Sequence, residues 1–137
     1  MKIQYKDQRF QEDAAKAVVD VFAGQPYASN SYKMDPGKVM QGLEFTGWNN
    51  NPLIQELTDP KILYRINEIQ RKNQLKPDDH LFGRYNLTIE METGVGKTFT
   101  YIKTMYELNK AYGWCKFIVV VPSIAIREGV YKTFQTT

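Results

Sequence analysis

Scarcities in this sequence exclude several classes of protein at once. A single cysteine, Cys115, among 137 residues can form neither an internal disulfide framework nor a cysteine-rich zinc site, and it fits a reducing compartment. It reads as an inert thiol at a strand edge. The one histidine, His80, stands in a Pro-Asp-Asp loop with no second ligand nearby in sequence, which argues against a metal centre there. The longest apolar run, residues 117–121, is far too short to span a bilayer, and the amino terminus lacks the apolar core of a signal peptide. A cytoplasmic protein with no membrane partner is expected. Neither sign of charge dominates. With 18 basic and 15 acidic side chains the net charge is +3, which tolerates a polyanionic partner but is too small to hold DNA by electrostatics alone.

What is present is the composition of an ordinary globular protein, with 42% apolar and 24% charged residues. The length suffices for one domain to bury a core without disulfides or metals. Apolar residues at Phe10, Ala14, Ala17, Val18, Val21 and Phe22 recur at helical spacing, and Gly24 follows as a stop. From residue 25 to 58 the chain turns to Gly, Pro, Asn, Ser and Tyr with no sustained period, so a long irregular insertion is expected. Such a loop either hides short elements or packs against something else. Asp59 then reads as an N-cap with Pro60 at the first helical position, and Ile62, Leu63, Ile66 and Ile69 mark one face of a second helix. Residues 85–91 (YNLTIEM) and 116–121 (KFIVVV) have the β-branched content of strands. Between them a helix is expected over 97–112, with Ile102, Met105, Tyr106 and Leu108 as its apolar positions and Gly113 as its end. Strand, glycine-rich loop, helix, strand is the crossover unit of a parallel α/β sheet.

The loop in that unit, residues 91–98 (METGVGKT), has the residue types that phosphate binding requires. Several donors must converge on an anion, and backbone N–H groups at a helix N-terminus supply them together with the favourable end of the helix dipole. Gly94 and Gly96 permit the backbone angles that turn the N–H groups of Thr93, Gly94, Val95 and Gly96 inward. Lys97 then reaches the outer phosphates of ATP, and the Thr98 hydroxyl is placed for a Mg2+ ion bridging them. A Gly-x-Gly-Lys-Ser/Thr string occurs by chance in a chain of this length with a probability on the order of one in a few hundred, and its place between a strand and a helix sharpens the signal. The strict pattern has glycine where this chain has Met91. Superfamily 2 motors commonly carry Ala or Met there, so the loop resembles theirs rather than that of a small-molecule kinase.

Two flanking segments support the same reading. Arg9, Phe10, Gln11 and Glu12 resemble the glutamine motif of such motors, in which an amide that donates and accepts at once matches the adenine edge; a solvated helix residue is the alternative for Gln11. Ser123 and Arg127, after the 116–121 segment, resemble motif Ia, which bonds DNA phosphates without reading bases. Ser123 is equally suited to capping a following helix. Trp48 and Trp114 do not cluster with the nine tyrosines at any regular spacing, so burial is expected for them rather than base stacking.

Taken together, RFQEDAAKAVVDVF, NLTIEMETGVGKTFTYIKTMYELNKAYGW and KFIVVVPSIAIREGVYKTF closely resemble the amino-terminal end of the Res subunit of type III restriction-modification enzymes. That resemblance implies an ATP-dependent translocase or helicase motor acting on double-stranded DNA, joined further along to a nuclease and working beside a DNA methyltransferase (modification) subunit. It also implies a partial RecA-like α/β lobe, the first helicase lobe, with parallel strands and flanking helices. Residues 1–24 would carry the glutamine motif, 25–80 the insertion and second helix, and 81–137 the start of the ATPase lobe. No catalytic residue is expected within these positions. Hydrolysis needs an acidic pair after a later strand, whereas Glu92 lies inside the loop and Glu128 beside motif Ia. The expectation is therefore the front part of a larger enzyme. The alternatives are a part of a general superfamily 2 helicase or type I restriction translocase, or an inactive remnant serving as an interaction module.

Overall fold

A computed structural model describes residues 8–29, 32–33, 47–48, 50–83 and 85–136. Residues 1–7, read above as lacking a signal peptide, most of the expected insertion between 30 and 49, and the Trp48 side chain lie outside what is described. The elements run α1 (Arg9–Val21), β1 (Tyr32–Lys33), β2 (Gly47–Trp48), α2 (Asp59–Lys72), α3 (Lys97–Tyr112) and α4 (Ile124–Thr136). Helix α1 packs against α3 and α2, and α4 against α3. No helix among the described residues is long and apolar enough to cross a membrane.

Helix α1 uses two faces. Gln11, Ala15 and Val21 are buried, while the apolar stripe formed by Phe10, Ala14, Ala17 and Val18 borders an open groove of about 1200 Å³ shared with α2 and residues 86–92. The core lies at the other end of the helix, where Val21 and Phe22 meet Ile62 of α2 and Leu108 and Tyr112 of α3. Withdrawing a side chain such as Ile62 fully from water contributes about 1.5–3 kcal/mol, so these few residues carry much of the fold. Trp114, half-buried where burial was expected, packs on this cluster with its ring edge-on to Phe22 at 5.4 Å and 5.1 Å from Tyr112. The Tyr112 hydroxyl donates to the Val19 carbonyl at 2.6 Å. Arg65 donates from α2 to the carbonyls of Ala23 and Val21 at the end of α1, where helix carbonyls lack an internal partner and a cation is favoured.

Two expectations are corrected. Thr58, not Asp59, stands at the N-cap position of α2, without a side-chain cap bond, which places Asp59 and Pro60 in the first turn. Tyr106 is 65% exposed, and Thr100 takes a place in the buried face of α3 instead. The expected parallel strands are not formed among the described residues. Residues 86–92 and 113–121 carry no strand assignment, and among the described residues the one sheet is the antiparallel pair β1–β2, with Tyr32 opposite Trp48 and Lys33 opposite Gly47. A strand is stabilised by ladder partners on its flanks, and among the described residues neither segment pairs in a ladder. Ile118 and Val120 accordingly stand 85% and 88% exposed.

The stems of the insertion are pinned by side-chain amides. Gln25 is buried, and its amide donates to the Pro52 carbonyl and accepts from the Ile54 N–H, both at 3.0 Å. Asn51 donates to the Ala28 carbonyl and accepts the Trp114 indole N–H on its own carbonyl. Asn50 accepts from the N–H groups of Cys115 and Lys116 and donates to the Lys116 carbonyl. Each amide replaces the backbone partner that an irregular segment lacks.

Candidate phosphate-binding site

Residues 86–92 enter a turn at Thr93 and Gly94, and the chain runs on into α3. Gly94 has φ +80° and Gly96 φ +86°, the left-handed region in which a β-carbon is strained. A β-carbon on Gly94 would meet nothing within 4 Å, so the turn borders open space. Gly96 is the N-cap of α3 and has no side chain to cap the helix. The first N–H groups of any helix have no intrahelical acceptor and sit at the positive end of its dipole. Lys97 and Thr98 occupy these first positions, Lys97 exposed and Thr98 half-buried. Thr93 is exposed and Val95 half-buried.

Helix α1 supports this loop from behind. Gln11 is 7% exposed, and its Nε2 donates to the Val95 carbonyl at 2.8 Å across 84 positions of sequence. The same Nε2 lies 2.6 Å from where a β-carbon on Gly96 would stand. One residue on, Glu12 pairs with Lys103 of α3 at 3.2 Å. Thr100, which sequence reasoning passed over, is 3% exposed, and both its N–H and its hydroxyl donate to the Gly96 carbonyl, at 3.0 and 3.1 Å. Helical spacing alone places Thr100 four residues after Gly96, but nothing in its residue type marks it.

Ser123 and Arg127 lie at the head of α4. The Ser123 hydroxyl accepts from the Ile126 N–H at 3.3 Å and its carbonyl from the Arg127 N–H at 3.0 Å, so the capping role expected as one option is formed. The Arg127 guanidinium pairs with Glu128 at 3.1 Å, both side chains 65% exposed.

The residues present fit a polyphosphate. They offer an uncapped helix head, two left-handed glycines, of which Gly94 borders open space and Gly96 lies against Gln11, and a lysine and a threonine in the first turn. A glycine turn at the start of a helix is the kind of place where phosphate groups bind. The chain belongs to the Res subunit family of type III restriction enzymes, whose model matches residues 11–137. It is similar to the Res subunit of the type III restriction-modification enzyme EcoP15I of Escherichia coli, with 35% identity over 98 residues, covering 64% of this chain and 10% of that protein. The EcoPI Res subunit of Escherichia phage P1 is 37% identical over 91 residues, 63% of this chain and 9% of that protein. The StyLTI Res subunit of Salmonella typhimurium is 54% identical over 52 residues, 38% of this chain and 5% of that protein. The chain thus matches about a tenth or less of the length of these curated relatives. No solved structure matches it.

Proposed function

We propose that the chain supplies the nucleotide-contacting part of an ATP-dependent DNA translocase or helicase motor of a type III restriction endonuclease. The observation that carries this is the pair of left-handed glycines at the uncapped head of α3, followed by Lys97 and Thr98. The N–H groups of residues 93–98 bind the phosphates of ATP, and Lys97 neutralises the outer ones. The Thr98 hydroxyl would hold a Mg2+ ion, which would supply charge neutralisation on the phosphate oxygens. Gln11 uses the part of its amide not engaged by Val95 for the adenine edge. Ser123 and Arg127 bind the backbone of double-stranded DNA.

In the whole protein this segment begins a RecA-like first helicase lobe, with residues 85–91 and 116–121 as parallel strands once ladder partners flank them. Residues 81–137 open the ATPase lobe, and residues 25–80 are an insertion with its own helix. The nuclease and the DNA methyltransferase partner belong to the whole enzyme. Binding, not hydrolysis, is the activity assigned to these residues, because Glu128 is paired with Arg127 and Glu92 lies exposed in the loop. The family match favours this reading over a general helicase or a type I translocase.

Titration calorimetry with ATP, with and without magnesium, tests it on the wild-type chain and on Lys97→Ala. Magnesium-dependent binding that is lost in Lys97→Ala is expected. Absence of binding in the wild type would overturn the assignment and leave an inactive interaction module.

A further inference from the structure

We infer that Gln11 is a positioning residue of the phosphate loop, setting the orientation of one of its peptide groups whether or not a nucleobase is present; this rests on the triphosphate reading above. A trans peptide directs its C=O and its N–H to opposite sides, and the described chain has no cis bond. Holding the Val95 carbonyl against Gln11 at 2.8 Å therefore turns the Gly96 N–H away from α1. The Val95–Gly96 peptide lies close to two residues with left-handed backbone, Gly94 and Gly96, and glycine presents little steric resistance to rotation of a neighbouring peptide. Unanchored, that peptide can flip, which withdraws an N–H donor from the anion and presents a carbonyl oxygen to it.

The anchor is itself held firmly. Gln11 is 7% exposed and Ala15, one turn further along α1, 1% exposed, so the helix carrying the amide has little freedom to withdraw. The Glu12–Lys103 pair at 3.2 Å ties the same turn of α1 to α3, and the Gly96 carbonyl is fixed from the other side by both donors of Thr100. The loop is thus clamped at consecutive carbonyls, Val95 by α1 and Gly96 by α3. A primary amide has two N–H groups and an acceptor oxygen. With one N–H given to Val95, the other N–H and the oxygen are left for a base, so loop positioning and base reading are separable functions of one side chain.

The test uses Gln11→Met, which keeps the length of the side chain but has no donor, and inorganic tripolyphosphate with magnesium as a ligand without a base. Calorimetry on the wild type and the variant measures tripolyphosphate and ATP in parallel. The expected result is that both ligands weaken by a similar factor, about three- to tenfold, the loss of one hydrogen bond. Weakening of ATP with tripolyphosphate unchanged would make Gln11 a base reader only and overturn the proposal, as would no change in either. Amide hydrogen exchange on the ligand-free chain supplies an independent arm. Faster exchange confined to residues 94–99 in Gln11→Met supports positioning. Unchanged exchange, or acceleration spread through α1, α2 and α3, overturns it. Should the wild type bind neither ligand, the functional proposal falls while the exchange arm still decides this one.

Discussion

The carbonyl of Ala28 occupies the space that a β-carbon on Gly113 would need. The N–H of Ala28 meanwhile donates to the neighbouring Tyr112 carbonyl at 3.4 Å. Gly113 closes α3 with φ +78°, its own N–H returning to the Asn109 carbonyl at 2.7 Å. Glycine is needed there for two reasons: the left-handed turn, and the passage of residues 25–29 across the helix end. The end of α3 and the stem of the insertion are therefore one packing unit.

Gly113→Ala should destabilise the chain by about 2–4 kcal/mol, of which about 1 kcal/mol is the left-handed backbone and the rest the displaced Ala28 carbonyl. Gly129 lies within α4, where an added β-carbon meets nothing. Gly129→Ala should stabilise by up to about 1 kcal/mol. Denaturant unfolding of both variants checks the contrast, and a Gly113→Ala loss no greater than the backbone share would show that the Ala28 segment simply moves aside.

The Tyr112 phenol is held above the ordinary tyrosine value, first by burial and then by the negative charge of Asp20, with Arg65 pulling it back down. A raised folded value means that the neutral phenol is the form the fold prefers. Its contribution is intact below the unfolded tyrosine value of about 10 and is lost as pH rises through the higher folded value. Phenolate absorbance should therefore show one late-ionising tyrosine, absent in Tyr112→Phe and shifted further up in Arg65→Met. Arg65→Met should also lose about 1.5–3 kcal/mol through the carbonyls of Val21 and Ala23.

At the head of α4, capping and phosphate contact make opposite demands on a carboxylate. Ser123→Asp retains a good N-cap but repels DNA phosphates, so it should keep the fold and weaken DNA binding. Arg127→Ala should weaken binding alike across sequences and reduce the salt dependence by about one unit of slope. Glu128→Gln, which frees the guanidinium from its 3.1 Å partner, should strengthen binding. Fluorescence anisotropy on unrelated duplexes at several salt concentrations checks all three, and wild-type affinity in Ser123→Asp would leave Ser123 only its cap.

Local chemistry was legible in the sequence where the cause is local. The bounds of α3 follow from Gly96 and Gly113, and the left-handed turns at Gly94 and Gly96 follow from the absence of a β-carbon. The short β1–β2 pair is one of the hidden elements expected of so long an insertion. What depends on distant partners was not legible. The apolar stripe of α1 was visible, but Ala15 and Gln11, the residues that α3 and the loop bury, carry no hydrophobic signal beyond a small side chain and an amide. The hydrogen bond from Gln11 to Val95 spans 84 positions and has no periodicity to announce it. Residues 85–91 and 116–121 read as strands because β-branched composition reports a preference, whereas strand formation requires neighbours that the described residues do not supply.

Backbone amide resonances of a nitrogen-15-labelled chain report whether the loop ahead of α3 receives the phosphates of ATP. On titration with magnesium ATP, the N–H signals of Gly94, Gly96, Lys97 and Thr98 should shift first and furthest, and should stay still in Lys97→Ala. Loop signals that do not move while ATP binds elsewhere, or that do not move at all, would contradict the account.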